Sequence, residues 1–177
     1  MRLESLEMIS KNLRGDALIE VIENNPGIQF REIMRTTGMK NGVLSHHLGK
    51  LEKRGIVQVQ RGTRQTRYYP LDVTANQSKV IVALRRDTQR KIIHTLMVNK
   101  EGLEFMEIVS NVSKAPSTVS LYLSQLLDDD IVQIFLEERK RKYQIKDRES
   151  VDKLIEDHHP WILDRPVTGF EDIFTSL

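Results

Sequence analysis

The sequence predicts a mainly α-helical protein with small β-hairpin wings, built from two tandem modules and a C-terminal helical extension. An internal repeat indicates the two modules, and in each copy the hydrophobic pattern changes from helical to alternating periodicity. The composition agrees with this class, because 39% hydrophobic and 29% charged residues in a chain of 177 are ordinary for a globular protein.

The internal repeat aligns without a gap at an offset of 75 residues. Over residues 24–68, thirteen of 45 positions are identical to their equivalents, including the run Ile56-Val57-Gln58 on Ile131-Val132-Gln133. A period of this length is too long for a solenoid. The predicted domains are therefore residues 1–75, residues 76–150 and a tail of residues 151–177.

Each copy predicts three helices and a hairpin. In the first copy, apolar residues at helical spacing predict a first helix that Asn25-Pro26-Gly27 ends, a second helix over 31–37 and, after Gly38, a third over about 41–54. Alternating residues over 56–60 and 66–69 then predict two strands. Three helices with a tight turn between the last two, followed by a hairpin, describe a winged helix-turn-helix.

The third helix carries a family resemblance. Residues 41–57, NGVLSHHLGKLEKRGIV, resemble the recognition helix and turn of arsenic-repressor-like (ArsR-like) regulators, V-S-H-H-L-x-x-L-x-x-x-G-L-V. The two-copy arrangement over residues 1–150, with Arg67-Tyr68-Tyr69-Pro70 ending the first wing, is similar to archaeal predicted transcriptional regulators with two such domains. The resemblance implies a DNA-binding regulator, but the chain lacks the cysteines of the metal-sensing members.

The outer face of the third helix is predicted to read base edges in the major groove. Ser and His side chains can bond base edges and phosphates, and Gly lets a backbone approach closely. An ordinary solvated face is the alternative, although Gly49 costs about 1 kcal/mol relative to Ala inside a helix and so favours a function. The predicted contacts on this helix are Lys40, Asn41, Gly42, Ser45, His46, Gly49, Lys50 and Lys53.

The wings are predicted to contact the phosphate backbone, with charge protection of an edge strand as the alternative. Residues 24–70 hold nine Lys or Arg against two acidic residues, whereas the equivalent residues 99–145 hold six against eight. The first copy is therefore predicted to bind double-stranded DNA, and the second to support it through its wing and packing. The predicted wing contacts are Arg61, Arg64, Arg67, Arg139, Lys140 and Arg141.

The tail holds two apolar stripes at helical spacing, which must dock on the modules or on a second chain. We predict a homodimer and hence an operator that is an inverted repeat. The residues predicted to form the dimer contact are Leu154, Ile155, Trp161, Phe170 and Phe174.

Several function classes are excluded or disfavoured. The chain has no cysteine, which rules out thiolate nucleophiles and zinc fingers, and it has no phosphate-cradling or dinucleotide-binding glycine motif. We therefore predict no enzymatic activity, no cofactor and no bound metal. The apolar runs are too short to cross a membrane and no secretory signal is evident, which predicts a cytoplasmic protein.

The predicted function is that of a sequence-specific, double-stranded DNA-binding transcriptional regulator. The alternative is a winged-helix interaction scaffold in a chromosome- or polymerase-associated complex.

Overall fold

The structure of the protein is a computed structural model that describes residues 15–63 and 65–157. The chain divides into a first unit, residues 1–74, and a second unit, residues 75–177. Each unit is mainly helical with a small antiparallel sheet, which confirms the mainly α-helical class with small hairpins that the sequence predicts.

The first unit follows the predicted order and adds one strand. Its elements are α1 (residues 15–23), β1 (Ile28–Gln29), α2 (Phe30–Thr37), α3 (Asn41–Lys53), β2 (Gln58–Arg61) and β3 (Thr66–Tyr69). The strands form an antiparallel sheet in the order β1-β3-β2, in which Ile28 pairs with Tyr68 and Val59 pairs with the same tyrosine from the other side. The two-residue strand β1 is too short to leave a periodic signal in the sequence.

The core of the first unit explains the spacing of its helices. The inner faces of α1, α2 and α3 meet around buried aliphatic residues, and Val57 and Tyr68 close the core from the hairpin. Gly38 ends α2 in a left-handed conformation, φ 66°, and its N–H donates to the carbonyl of Met34. This turn leaves only three residues between α2 and α3, as in a helix-turn-helix. The core aliphatic residues of the helices are Leu18, Ile22, Ile33, Leu44, Leu48 and Leu51.

The second unit contains five helices and a hairpin among its described residues. They are α4 (Ala75–Leu84), α5 (Asp87–Val98), α6 (Phe105–Val112), α7 (Pro116–Asp128), β4 (Val132–Glu137), β5 (Lys140–Ile145) and α8 (Arg148–Asp157). The order from α5 to β5 repeats the order from α1 to β3 of the first unit. An isolated bridge between Leu103 and Tyr143 takes the place of β1.

Two turns of the second unit keep a left-handed backbone without glycine. Ser113 ends α6 at φ 53°, 75 residues after Gly38, and Asp130 follows α7 at φ 65°, 75 residues after Gly55, which has φ 64°. The left-handed backbone conformation is sterically unfavourable for a residue with a side chain. The second unit thus has the same turns as the first, although it has serine and aspartate where the first unit has glycine.

The start of the tail belongs to the second unit. Helix α8 packs against α4, and its stripe of Val151, Leu154 and Ile155 is buried, with Leu154 1% exposed. Leu154 and Ile155 are therefore core residues of their own unit, and the prediction that they contact a second chain is corrected for these two. Trp161, Phe170 and Phe174 lie outside the described residues.

Within the described part of the chain, no helix is both long enough and apolar enough to cross a membrane.

Candidate nucleic-acid interface

Helix α3 separates a buried face from an exposed one. Leu44, Leu48 and Leu51 pack into the core, and His47 beside them is 8% exposed, as expected of a packing residue. The eight predicted contacts all lie on the other side: seven are exposed and Gly49 is half-buried. The structure thus brings the predicted residues of this helix together on one surface.

Two side chains of this surface have defined neighbours. The Ser45 hydroxyl donates to Asn41 Oδ1 at 3.2 Å, one helical turn earlier. The His46 ring stands edge-on to the His47 ring, with 5.7 Å between the ring centroids and 78° between the planes. Both Ser45 and His46 remain exposed, so their polar atoms are accessible to a ligand outside the protein.

The glycines of α3 have no packing reason within the described structure. A Cβ atom added to Gly42 or Gly49 would meet no other atom within 4 Å. Because glycine weakens a helix interior by about 1 kcal/mol relative to alanine, its presence at Gly49 is a cost to the fold. The two glycines leave the outer face of α3 without side chains at these positions.

The basic residues around α3 are available for an anionic partner. Lys40, Lys50, Lys53 and Arg54 are exposed, and none of them forms an ion pair with any residue that the structure describes. Exposed cations beside a helix-turn-helix are of the type that contacts DNA phosphates in complexes.

Arg61 of the wing is paired with a residue that the sequence analysis did not select. Its guanidinium donates to both carboxylate oxygens of Glu52, at 2.6 and 2.7 Å, and so joins β2 to the last turn of α3. The hydrogen bonds from Arg61 lower the pKa of Glu52, and the same carboxylate raises the pKa of Arg61. The Arg61 side chain is still 63% exposed. Glu52 and Arg61 lie nine residues apart, a spacing that carries no helical signal, so only the fold reveals the pair.

Arg67 occupies the opposite side of the hairpin from Arg61. Its guanidinium donates to the carbonyl of Gly27 at 2.8 Å and to Gln65 Oε1 at 3.0 Å, and the residue is half-buried. Arg67 therefore ties the hairpin to the turn before β1. The guanidinium of Arg67 thus bonds within its own unit, although the sequence predicts this residue as a wing contact to phosphate. Arg64 lies outside the described residues.

The wing of the second unit is less basic than its sequence indicates. Lys140 pairs with Glu104 at 2.7 Å, which raises the pKa of Lys140, and Lys142 pairs with Glu137 at 2.5 Å, which raises the pKa of Lys142. Arg139 lies at the tip in a left-handed conformation, φ 67°. Arg139 and Arg141 are exposed and pair with no acidic residue in the described ranges. Two of the four cations are thus neutralised by the unit itself.

The outer face of α7 has no counterpart to the basic surface of α3. Its exposed residues are small or apolar and end in an acidic cluster, so a polyanion would find no cation on this helix. Leu121, at the position equivalent to His46, is 58% exposed. The residues along this face are Ser117, Ser120, Leu121, Ser124 and Asp128.

No metal centre is evident in the part of the chain that the structure describes. Its His, Asp and Glu side chains form no group of three that could hold an ion.

Comparison with known proteins relates the first unit to helix-turn-helix domains. A search of curated proteins finds no similar sequence. Residues 13–81 match a family model described as HTH_HVO_0163_N, N-terminal HTH domain. The match spans the whole helix-turn-helix and wing of the first unit and extends into α4. It supports a helix-turn-helix family for this part of the chain, and a helix-turn-helix domain suggests DNA binding.

Proposed function

We propose that the protein is a sequence-specific regulator of transcription that binds double-stranded DNA through the first unit. In this proposal α3 enters the major groove, Ser45 and His46 contact base edges, and the lysines around them contact phosphates. The first unit is an ArsR-like winged helix, the second unit is a second winged helix of the same ancestry, and binding rather than catalysis is the activity of the chain.

The outer face of α3 is the observation that carries the proposal. Exposed Ser45 and His46 lie beside two glycines that internal packing does not require, within a basic surface. The match of residues 13–81 to a helix-turn-helix model adds independent support. For the second unit, the support is its order of elements and its left-handed turns at equivalent positions.

The test is selection of binding sites from random double-stranded DNA by the full chain. We expect enrichment of a common sequence, and a dissociation constant for that sequence well below the constant for random DNA. Ser45→Ala or His46→Ala should weaken binding to the selected sequence by about 1 to 3 kcal/mol and leave binding to random DNA nearly unchanged. Lys50→Ala is the matched control, because loss of a phosphate contact weakens both alike. Failure to enrich any sequence would contradict the proposal.

An interaction scaffold is the second candidate, and the exposed apolar residues of the second unit favour it. Leu121 and Leu136 are 58% and 72% exposed. Helix α7, the counterpart of α3, carries no lysine. If the selection enriches no sequence, binding of the full chain to protein partners becomes the leading function.

We also propose that the chain acts as a homodimer, which would present two copies of α3 to an inverted repeat. This proposal does not use Leu154 or Ile155, since both are buried within one unit.

A further inference from the structure

A groove of about 340 Å³ lies in the second unit, between α5 and the end of α6. Its volume falls within the range of pockets that hold small molecules. Four of its residues follow one face of α5 at helical spacing, and the others come from the end of that helix, the last turn of α6 and the residue after it. The lining residues are Lys91, His94, Thr95, Val98, Asn99, Asn111, Val112 and Ser113.

The charge of this lining differs in sign from that of the first unit. None of its eight residues is acidic. The first unit, by contrast, has acidic residues at three of the equivalent positions of α1: Asp16, Glu20 and Glu23. The second unit has Lys91 in place of the first of them and His94 three residues later. An anion that α1 would repel can therefore bind against α5.

Nearby groups limit the positive charge of the groove. Asp87 lies 3.4 Å from the Lys91 ammonium and 4.0 Å from the ammonium of Lys114. The groove also adjoins the carboxyl ends of α5 and α6, where the last carbonyls of a helix carry partial negative charge. A singly charged anion fits this balance better than a phosphate dianion or a polyanion does.

Thr95 brings to the groove a hydroxyl that internal packing does not use. The residue is 8% exposed. Its carbonyl accepts from the Asn99 side chain, but its hydroxyl forms no hydrogen bond with any residue that the structure describes. A buried hydroxyl without a partner is unfavourable for folding. A ligand in the groove would supply the missing partner.

Ser113 adds a second hydroxyl at a cost to its turn. It has φ 53° where the first unit has Gly38, and this conformation is sterically unfavourable for a residue with a side chain. The hydroxyl lies 3.5 Å from the carbonyl of Ser110, which is at the outer limit of a hydrogen bond. Unfavourable backbone conformations that persist are concentrated at binding sites. The serine is therefore explained if its hydroxyl contacts a ligand.

We propose that the groove binds a small aliphatic carboxylate. The Lys91 ammonium, the His94 ring and the two hydroxyls donate to the carboxylate, and Val98 and Val112 pack against the aliphatic part. Val98 is 55% exposed, so a ligand would also cover apolar surface that now faces solvent. The proposal does not rest on the proposed function, because the groove lies in the second unit and uses no residue of α3.

The test is a titration of the full chain with acetate, isobutyrate and isovalerate, followed by amide chemical shifts in NMR spectra. We expect saturable shifts at residues 91–99 and 111–113, with the tightest binding for isovalerate because it buries the most apolar surface. Isovaleramide, which has the same shape without the charge, and inorganic phosphate should each bind at least about tenfold more weakly than isovalerate.

Lys91→Gln should raise the dissociation constant for isovalerate by about tenfold, because a charged donor is lost. Lys100→Gln is the matched control. Lys100 is an exposed lysine of the same unit that does not line the groove, so its replacement should change the constant by less than about twofold.

Two further variants separate binding from stability. Thr95→Val and Ser113→Gly each remove one hydroxyl and should raise the dissociation constant by about fivefold. Both should also raise the midpoint of thermal unfolding, since the first removes a buried hydroxyl without a partner and the second relieves a left-handed serine. A purely structural role for these residues would not combine a gain in stability with a loss of binding.

Three results would overturn the proposal. The first is the absence of saturable shifts with all three carboxylates up to about 20 mM. The second is a set of shifts outside the groove residues, or binding that none of the three groove variants weakens. The third is tighter binding of phosphate or of isovaleramide than of isovalerate, which would show that the ligand class is wrong. None of these results bears on DNA binding, which the selection experiment tests separately.

Discussion

The two units bury the same positions of their third helices but carry different surfaces. Leu44, Leu48 and Leu51 of α3 correspond to Val119, Leu123 and Leu126 of α7, and all six are buried. Elsewhere in the units, His46 and Glu52 of α3 and Arg61 of the first wing correspond to leucines of the second unit. The comparison teaches that the buried positions maintain the fold, whereas the exposed positions determine the partner.

The largest expected effect comes from giving the first unit the surface of the second. The double variant His46→Leu, Lys53→Asp introduces the residues found at positions 121 and 128. In the proposed function this variant loses one base contact and reverses the charge of one phosphate contact, so we expect the affinity for the selected DNA sequence to fall by about 100-fold. Fluorescence anisotropy with labelled DNA measures the change.

The reciprocal exchange in the second unit is the matched control. The double variant Leu121→His, Asp128→Lys should bind a DNA half-site with an affinity within about twofold of that of the native chain, since α7 is not expected to enter the groove. Equal losses from both exchanges would show that the two units contribute alike to DNA binding, which would break the comparison.

The next effect separates the stability of α3 from its function. Gly49→Ala should raise the free energy of unfolding by up to about 1 kcal/mol, because alanine favours a helix and a Cβ atom at this position meets nothing within 4 Å. The same methyl group should weaken DNA binding by about tenfold if the helix backbone lies against the groove. Thermal unfolding and anisotropy measure the two effects on one sample.

Ser124→Ala is the control for Gly49→Ala, because Ser124 occupies the equivalent position of α7. It should raise stability slightly and leave half-site DNA affinity unchanged. If Gly49→Ala strengthens both stability and binding, the glycine has no role in the interface.

The sequence predicted the repeat, the helix order and the exposed face of α3, because these depend on periodicity within single elements. It could not predict what the wing arginines contact. Arg61 meets Glu52 and Arg67 meets the carbonyl of Gly27 only after the hairpin folds back on the helices. The apolar stripe at Leu154 was evident, yet the choice between its own unit and a second chain depended on the position of α4. The contacts of the wing arginines and the packing of Leu154 were therefore missed because they join residues far apart in the sequence.

A smaller effect concerns the ion pair that only the first unit retains. Glu52→Gln should free Arg61 for a phosphate, which raises DNA affinity severalfold and steepens the log–log dependence of affinity on salt by about one unit. The pKa of Glu52 lies below its ordinary value. The pair is thus intact above that ordinary value and is lost only as pH falls through the lowered pKa. The difference in slope between variant and native chain should therefore be constant from pH 6 to pH 8.

Glu20→Gln controls for the loss of one acidic charge, because Glu20 is exposed on α1 and has no contact with Arg61. A weaker affinity for the Glu52→Gln variant would show instead that the ion pair positions the wing for binding, and Arg61 would then be a positioning residue.

The smallest expected effect is on the turn that differs between the units. Ser113 adopts φ 53° where the first unit has Gly38 at φ 66°. A left-handed conformation costs an L-residue about 1 to 2 kcal/mol, whereas glycine adopts it freely but loses about 0.5 to 1 kcal/mol of chain entropy on folding. Ser113→Gly should therefore stabilise the second unit by about 0.5 kcal/mol, a rise of roughly 1 to 2 °C in the unfolding midpoint. Gly38→Ser should destabilise the first unit by a similar amount.

Neither variant should change the affinity of the protein for a DNA half-site by more than about twofold, since both turns keep their backbone. A lower midpoint for Ser113→Gly would mean that the serine side chain stabilises this turn, and the two units would then differ in how they join their helices as well as in their surfaces.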